Sequence, residues 1–287
     1  MYNCPTLFQA HLSSVHLPKP IDLMGLLQIV VLAVVQGLTE FLPVSSSGHL
    51  ILVPYLTSWP DQGLEFDLSV HIGTLTAIVI YFRRTLWEML RDWCLSIGRR
   101  APVGHSTLAW GILWGTIPVG VVGLLFRHQI ETTLRSPYVV ACTTIGFGLL
   151  LWAADRRTGR RSESEIGWLD VLTIGCAQAL ALVPGTSRSG ITITAGLFRG
   201  LSREAAARFS FLLAVPAMTG AGFAEIIGVE PTTVHADAKA VVFGAVLSAI
   251  TGLACIHFFL KWLTRFGLAP FVVYRLLLGI TLFALLL

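Results

Sequence analysis

Charge is scarce in this chain. Of its 287 residues, 13% are Asp, Glu, Lys or Arg and 54% are hydrophobic; a soluble domain is about one-quarter charged. With a mean hydropathy of +0.75, the deficit excludes a surface that water solvates throughout. A basic patch is missing too. The net charge is only +4 and comes mainly from arginines set between apolar runs, which speaks against nucleic-acid binding and for control of membrane topology. The five cysteines (Cys4, Cys94, Cys142, Cys176, Cys255) are odd in number and widely spaced. They lack paired metal spacing, so buried thiols are expected. The N-terminus has neither the basic start nor the small-residue cleavage site of a signal peptide. Residues 1–23 read as an extension ahead of a single membrane domain, 24–287.

Long apolar runs are what the chain does have. Val241–Leu260 contains no Asp, Glu, Lys or Arg, and Phe271–Leu287 contains only Arg275; each is close to the ~20 residues that cross a bilayer as a helix. Six stretches are long enough to span: 64–82, 108–127, 138–154, 208–227, 241–260 and 270–287. Two other apolar regions are interrupted. Met24–Leu56 breaks at Pro43 and a serine run, and Trp168–Phe198 breaks at Pro184–Gly190. The pieces of the second region are each short for a crossing, so both regions are expected to be re-entrant hairpins of two half-helices. Met24–Leu42 alone is long enough to span, which leaves a full crossing open for the first.

A hairpin followed by three spans occurs twice. The starts at 24 and 64 recur at 168 and 208, and Pro43 and Pro184 lie 141 residues apart. The expected repeats are 24–154 and 168–287. An odd number of crossings per repeat inverts one half against the other and sets functional sites near the midplane, where broken helices meet. The fold class expected is an all-α polytopic membrane protein, with about six transmembrane helices plus two re-entrant hairpins in an inverted-topology repeat. Loops 83–107 and 155–167 carry five and four arginines, and loop 261–269 adds Lys261 and Arg265; loops 128–137 and 228–240 hold one basic residue each. The positive-inside rule puts the first three in the cytoplasm, with the hairpin tips meeting inside the membrane.

Polar residues concentrate at the two breaks. At the first, Pro43 stops a helix and Gly48–Leu56 can start another, leaving Ser45, Ser46 and Ser47 at or beside a helix N-terminus that suits an anion. His49 follows three residues after Ser46, and Gln36 and Glu40 share the preceding helix face. Singly, each has a plain structural use: serines cap helices, histidine satisfies a buried neighbour, and Gln–Glu pairs pack helices. Together within fourteen residues they point to a site. At the second break, "PGTSRSGIT" sets Arg188 between Ser187 and Ser189 in a glycine-flanked bend, with Thr192 just beyond. An arginine there either snorkels to an interface or clamps phosphate with its planar fork; the hairpin tip favours the clamp. Glu65, Asp67 and His71 open a span and are expected to be interfacial or paired.

At these two turns the sequence resembles the undecaprenyl-diphosphate phosphatase family, also called bacitracin-resistance proteins. The family's (E/Q)xxxE motif stands here as Gln36–Glu40, its serine-rich turn as "PVSSSGH" at 43–49, and its PGxSRSxxT motif at 184–192. The resemblance runs from about residue 24 to the C-terminus. It implies a bacterial inner-membrane hydrolase that converts undecaprenyl diphosphate to undecaprenyl phosphate for cell-wall synthesis and confers bacitracin resistance, with an active site open to the periplasm. It also implies a polyprenyl diphosphate substrate among membrane lipids and Mg2+ or Ca2+ as a cofactor, with Glu40 as its acidic ligand; a homodimer is a further expectation. Type-2 phosphatidic-acid phosphatases share the "SGH" of Ser47–His49, but they need a histidine six residues after the arginine, where this chain has Thr194.

The expected mechanism has Arg188 and the serine-rich helix start holding the diphosphate, Ser46 attacking and His49 taking its proton, while Glu40 orients His49 or meets a cation. Direct attack by His49 stays open. Gln36, Ser45, Ser47, Gly48, Ser187, Ser189 and Thr192 are the expected substrate contacts. The competing reading is a transporter that flips polyprenyl phosphate, since inverted repeats with broken helices also build transporters. Topology is directly testable. Single cysteines placed in loop 228–240 should react with a membrane-impermeant maleimide on intact cells, and those in loop 155–167 only after permeabilisation; labelling of 155–167 in intact cells would overturn the orientation.

Overall fold

The computed structural model describes residues 25–286 except 133, 135, 158 and 229–236. The expected extension 1–23, Cys4 and most of loop 228–240 lie outside the described residues. The chain forms α1 (Leu26–Thr39), α2 (Ser46–Thr57), α3 (Leu64–Tyr81), α4 (Arg83–Arg99), α5 (Ser106–Leu125), α6 (Arg127–Thr132), α7 (Pro137–Asp155), α8 (Trp168–Ala179), α9 (Arg188–Phe198), α10 (Arg203–Gly228), α11 (Ala238–Leu263) and α12 (Ala269–Leu286). The only β-pairing among the described residues is an isolated bridge between Arg161 and Leu201. It is an all-α polytopic membrane protein. Among the described residues five helices, α3, α5, α7, α10 and α11, are long and apolar enough to cross a bilayer; the sixth expected span falls on α12, whose apolar stretch Ala269–Leu285 is slightly shorter.

Both interrupted regions form helix–turn–helix units. Pro43 lies between α1 and α2, and Pro184 between a short 3-10 turn at Leu180–Leu182 and α9. The four helices flanking the breaks have 14, 12, 12 and 11 residues, all below the ~20 of a crossing. One element differs from expectation. Residues 83–99, expected as loop, form helix α4 with six charged side chains. Met89 and Ser96 are buried while Trp87, Leu90 and Ile97 are exposed. An amphipathic, basic helix suits the plane of a membrane interface, and its low mean hydropathy hid it from a search for apolar runs.

Packing is reciprocal between the halves. α1 lies against α11, and α8 lies against α5; α3 contacts α11, and α10 contacts α5. Both crossings of a hairpin helix rest on glycine. A Cβ on Gly37 would come within 2.7 Å of Thr251 Cβ, and one on Gly175 within 2.5 Å of the Gly115 carbonyl oxygen. Small residues allow such backbone approach where lipid offers no hydrophobic drive between helices. Gly175→Ala should therefore force α5 and α8 apart at about 1–3 kcal/mol, seen as a lower melting temperature in detergent. Gly120→Ala, on the same α5 but with open space around it, should melt like the parent.

Candidate active site

The two polar turns meet. Ser189 Oγ donates to the Leu42 carbonyl across 2.9 Å, and Arg275 of α12 donates from one nitrogen to both Pro43 O (3.2 Å) and Thr186 O (2.9 Å). At each turn the residue capping the second half-helix is a serine with positive φ: Ser45 at 76° and Ser187 at 70°. Non-glycine residues rarely hold that conformation, and it collects at functional sites. The two caps then diverge. Ser187 Oγ accepts from Gly190 N at 3.2 Å and so satisfies its own helix start. Ser45 makes no such bond, which leaves the first N–H groups of α2 available to an anion.

Glu40 is the centre of the site. It sits just past the end of α1 and is 8% exposed. Ser46 Oγ donates to its Oε2 at 2.7 Å and Gln36 Nε2 to the same oxygen at 3.0 Å. Arg188 Nη2 donates to Oε1 at 3.2 Å, with Nη1 on the Ser210 carbonyl at 3.2 Å. His71 Nε2 of α3 stands 4.0 Å from Oε2. A cavity of about 260 Å³ opens beside this cluster, with Glu40, Ser45, Ser46, Ser47, Ser187 and Arg188 on its wall. Serine hydroxyl, carboxylate, guanidinium and helix start thus share one space, as anion binding and nucleophilic attack require.

Not every expected residue faces that space. His49 does not bond to Ser46. Its Nδ1 is 2.7 Å from the Ser45 carbonyl and its Nε2 2.5 Å from the Tyr274 hydroxyl. A carbonyl only accepts, so Nδ1 carries the proton, and the ring lies behind the turn, stacked on Tyr274. The group that accepts the Ser46 hydroxyl hydrogen bond is Glu40. Thr192 Oγ1 is buried against Ser210 Oγ at 2.7 Å and the Arg188 carbonyl at 2.8 Å, which fixes the helix that carries the arginine. Gly48 has only Ser45 side-chain atoms within reach of a Cβ, at 3.6 Å and beyond.

A divalent cation fits poorly among these donors. Both Glu40 oxygens already accept hydrogen bonds, one from a guanidinium, and among the described residues no three His, Cys, Asp or Glu side chains cluster as a metal site.

Several residues of the site escaped the sequence reading. Gln178 is fully buried, lines the cavity and has no protein partner for either amide atom. His71 was expected only as interfacial or paired. Tyr274 and Arg275 lie on α12, far along the chain from either turn. Arg275 had a signal in the sequence: a lone charge inside an apolar run of spanning length is a functional candidate by default.

Residues 29–281 match the family described as Bacitracin resistance protein BacA. The undecaprenyl-diphosphatase 2 of Stutzerimonas stutzeri is 58% identical over 266 residues, covering 91% of this chain and 98% of that protein. The undecaprenyl-diphosphatase of Nitrosococcus oceani is 53% identical over 261 residues, with 91% and 98% covered. That of Idiomarina loihiensis is 47% identical over 263 residues, with 91% and 99% covered. Matched along nearly its whole described length, the chain belongs to the bacitracin resistance protein BacA family.

Proposed function

We propose that this chain is an integral-membrane phosphatase that hydrolyses undecaprenyl diphosphate to undecaprenyl phosphate and inorganic phosphate. The observation that carries the reading is the Ser46–Glu40–Arg188 chain of contacts at the open start of α2. The terminal phosphate docks on the free N–H groups of α2 and takes Arg188 from Glu40. Ser46 Oγ attacks the terminal phosphorus and Glu40 accepts its proton. The bond from that phosphorus to the bridging oxygen breaks, and its electron pair leaves with polyprenyl phosphate. Water then attacks the phosphoserine, Glu40 returns the proton to Ser46, and inorganic phosphate departs. Positioning and charge neutralisation are the main work in phosphoryl transfer. A flippase for polyprenyl phosphate has no need of a hydroxyl paired to a buried carboxylate.

Membrane placement follows from the arginine-rich loops. With loops 83–107, 155–167 and 261–269 in the cytoplasm of a bacterial inner membrane, both hairpins are re-entrant and the cavity faces the periplasmic half. The reciprocal packing of α1 on α11 and α8 on α5 supports an inverted repeat of 24–154 and 168–287.

Phosphate release from farnesyl diphosphate by detergent-purified protein tests the chemistry. Ser46→Ala and Glu40→Gln should each lower kcat by roughly 10²–10⁴, and the double variant should be hardly worse, because the two act as one unit. His49→Ala should cost about tenfold, by loosening the Ser45 turn. A dead His49→Ala beside an active Ser46→Ala would make histidine the nucleophile.

Arg188→Lys keeps the charge and loses the fork. It should cost about a hundredfold in kcat/KM with the melting temperature unchanged; near-parental turnover would make the arginine structural.

A further inference from the structure

The catalytic cavity has a neighbour. A second cavity of about 310 Å³ lies between the first half of α3 and the last half of α10. Its walls are mostly apolar: Leu68, Ile72 and Leu75 from α3, with Phe223 and Ile226 from α10. Three residues, His71, Met218 and Ala221, line both spaces. On α10, Ala221 lines both spaces and Gly222 lines the second one alone. At Gly222 a Cβ would already stand 3.6 Å from Leu68 Cδ1, so a longer side chain there would fill the second cavity.

His71 occupies the junction with a fixed orientation. Its Nδ1 is 2.7 Å from the Asp67 carbonyl, which can only accept, so the proton sits on Nδ1 and Nε2 is left toward Glu40 at 4.0 Å. Once protonated, Nε2 becomes a charged donor between the carboxylate and anything lying across the boundary. The carboxylates that face this ring are Glu40 and Asp67, with Glu225 on the groove wall. Otherwise the groove wall offers a ligand only the Thr219 hydroxyl.

We propose that the α3–α10 groove receives the isoprenoid chain of the substrate, and that His71 Nε2, at the junction of the two cavities, donates to the lipid-proximal phosphate. The proposal rests on the phosphatase reading above. The occupant follows from continuity: a diphosphate seated at Ser46 and Arg188 must lead its chain out of the polar cavity, and the apolar space that shares its wall adjoins at His71. The arrangement assigns the two phosphates to different groups. The terminal one belongs to α2 and Arg188, the proximal one to His71.

Steady-state kinetics on farnesyl diphosphate, isopentenyl diphosphate and inorganic phosphate separate the parts. For the parent protein, KM should fall as the chain lengthens from five to fifteen carbons. Gly222→Leu and, from the lipid-facing side of the groove, Ile226→Trp should raise KM for farnesyl diphosphate about tenfold. KM for isopentenyl diphosphate should stay within twofold, so the chain-length preference collapses. His71→Leu should raise KM for both diphosphates about tenfold and leave product inhibition by inorganic phosphate unchanged. His71→Gln, which keeps a donor without the charge, should recover part of that loss. If both groove variants melt normally and keep the parental chain-length preference, the groove holds membrane lipid and not substrate. If His71→Leu weakens inhibition by inorganic phosphate as strongly as it raises KM, His71 serves the terminal phosphate and the assignment is overturned. Absence of phosphate release by the parent protein would instead sink the phosphatase reading itself.

Discussion

A single buried guanidinium holds the two halves of the site in register. Arg275 is 0% exposed, and each of its N–H groups finds a backbone carbonyl. Nε donates to Thr144 O, Nη1 to Pro43 O and Thr186 O, and Nη2 to Gly185 O and Thr143 O. An unpaired charge in a low-dielectric interior is costly. Here three carbonyls of the two turns, Pro43 O, Gly185 O and Thr186 O, and two of α7 supply the compensation, and the turns in turn lose their own unsatisfied acceptors. The arginine and the turns therefore stabilise one another. Without it, Pro43 O and Thr186 O would be held by nothing in common, and the cross-turn contacts of Ser189 with Leu42 and of Arg188 with Glu40 would have to fix the geometry alone.

That geometry matters because the resting site is electrically quenched. The carboxylate proposed to take the proton and the guanidinium proposed to bind phosphate neutralise each other across 3.2 Å. Both are largely buried, at 7% and 15% side-chain exposure, so neither is well solvated without a partner. A diphosphate offers Arg188 a more highly charged partner with matching oxygen geometry. In the proposed reaction its arrival draws the arginine away from Glu40, whose carboxylate stays facing the Ser46 hydroxyl. Binding and activation are then one exchange of partners and need no large movement of the helices.

Much of this was legible in the sequence, for identifiable reasons. The spans and both breaks could be read because apolar runs of a given length and a proline beside serines have few alternative structures in a membrane. The residues at the turns could be read because polar groups at that depth need partners or a wet cavity. What failed was pairing. Ser46 and His49 are near in sequence, yet the φ of 76° at Ser45 aims the hydroxyl back at Glu40, while the histidine ring finds Tyr274, 225 residues away. Backbone conformation at a single serine decided that, and residue type gives no sign of it. His71 was hidden because the helix opening at Leu64 looks interfacial, although its second turn borders the cavity. Helix α4 was missed because charges that bar it from the hydrocarbon also mask its apolar stripe.

The two turns show how one scaffold supports two kinds of chemistry. Ser45 and Ser187 are both positive-φ caps, so the residues that follow them, Ser46 and Arg188, occupy the same place at the start of their helices. One carries the hydroxyl proposed to attack phosphorus and the other a cation. The caps differ in the corresponding sense. Ser187 closes its own helix start through Gly190 N, so α9 presents the arginine side chain and not its backbone. Ser45 leaves α2 uncapped by its side chain, so α2 presents backbone N–H groups alongside the hydroxyl. An anion entering the cavity therefore meets a helix dipole from one side and a point charge from the other, with the Ser46 hydroxyl on the dipole side. Were both caps closed, Arg188 alone would hold the phosphate and nothing would orient it toward Ser46. Were both open, two helix starts would compete for it, and only one stands beside a hydroxyl with a proton acceptor. On the proposed mechanism, the asymmetry of the caps, set by where one serine side chain points, gives the phosphate a single productive orientation.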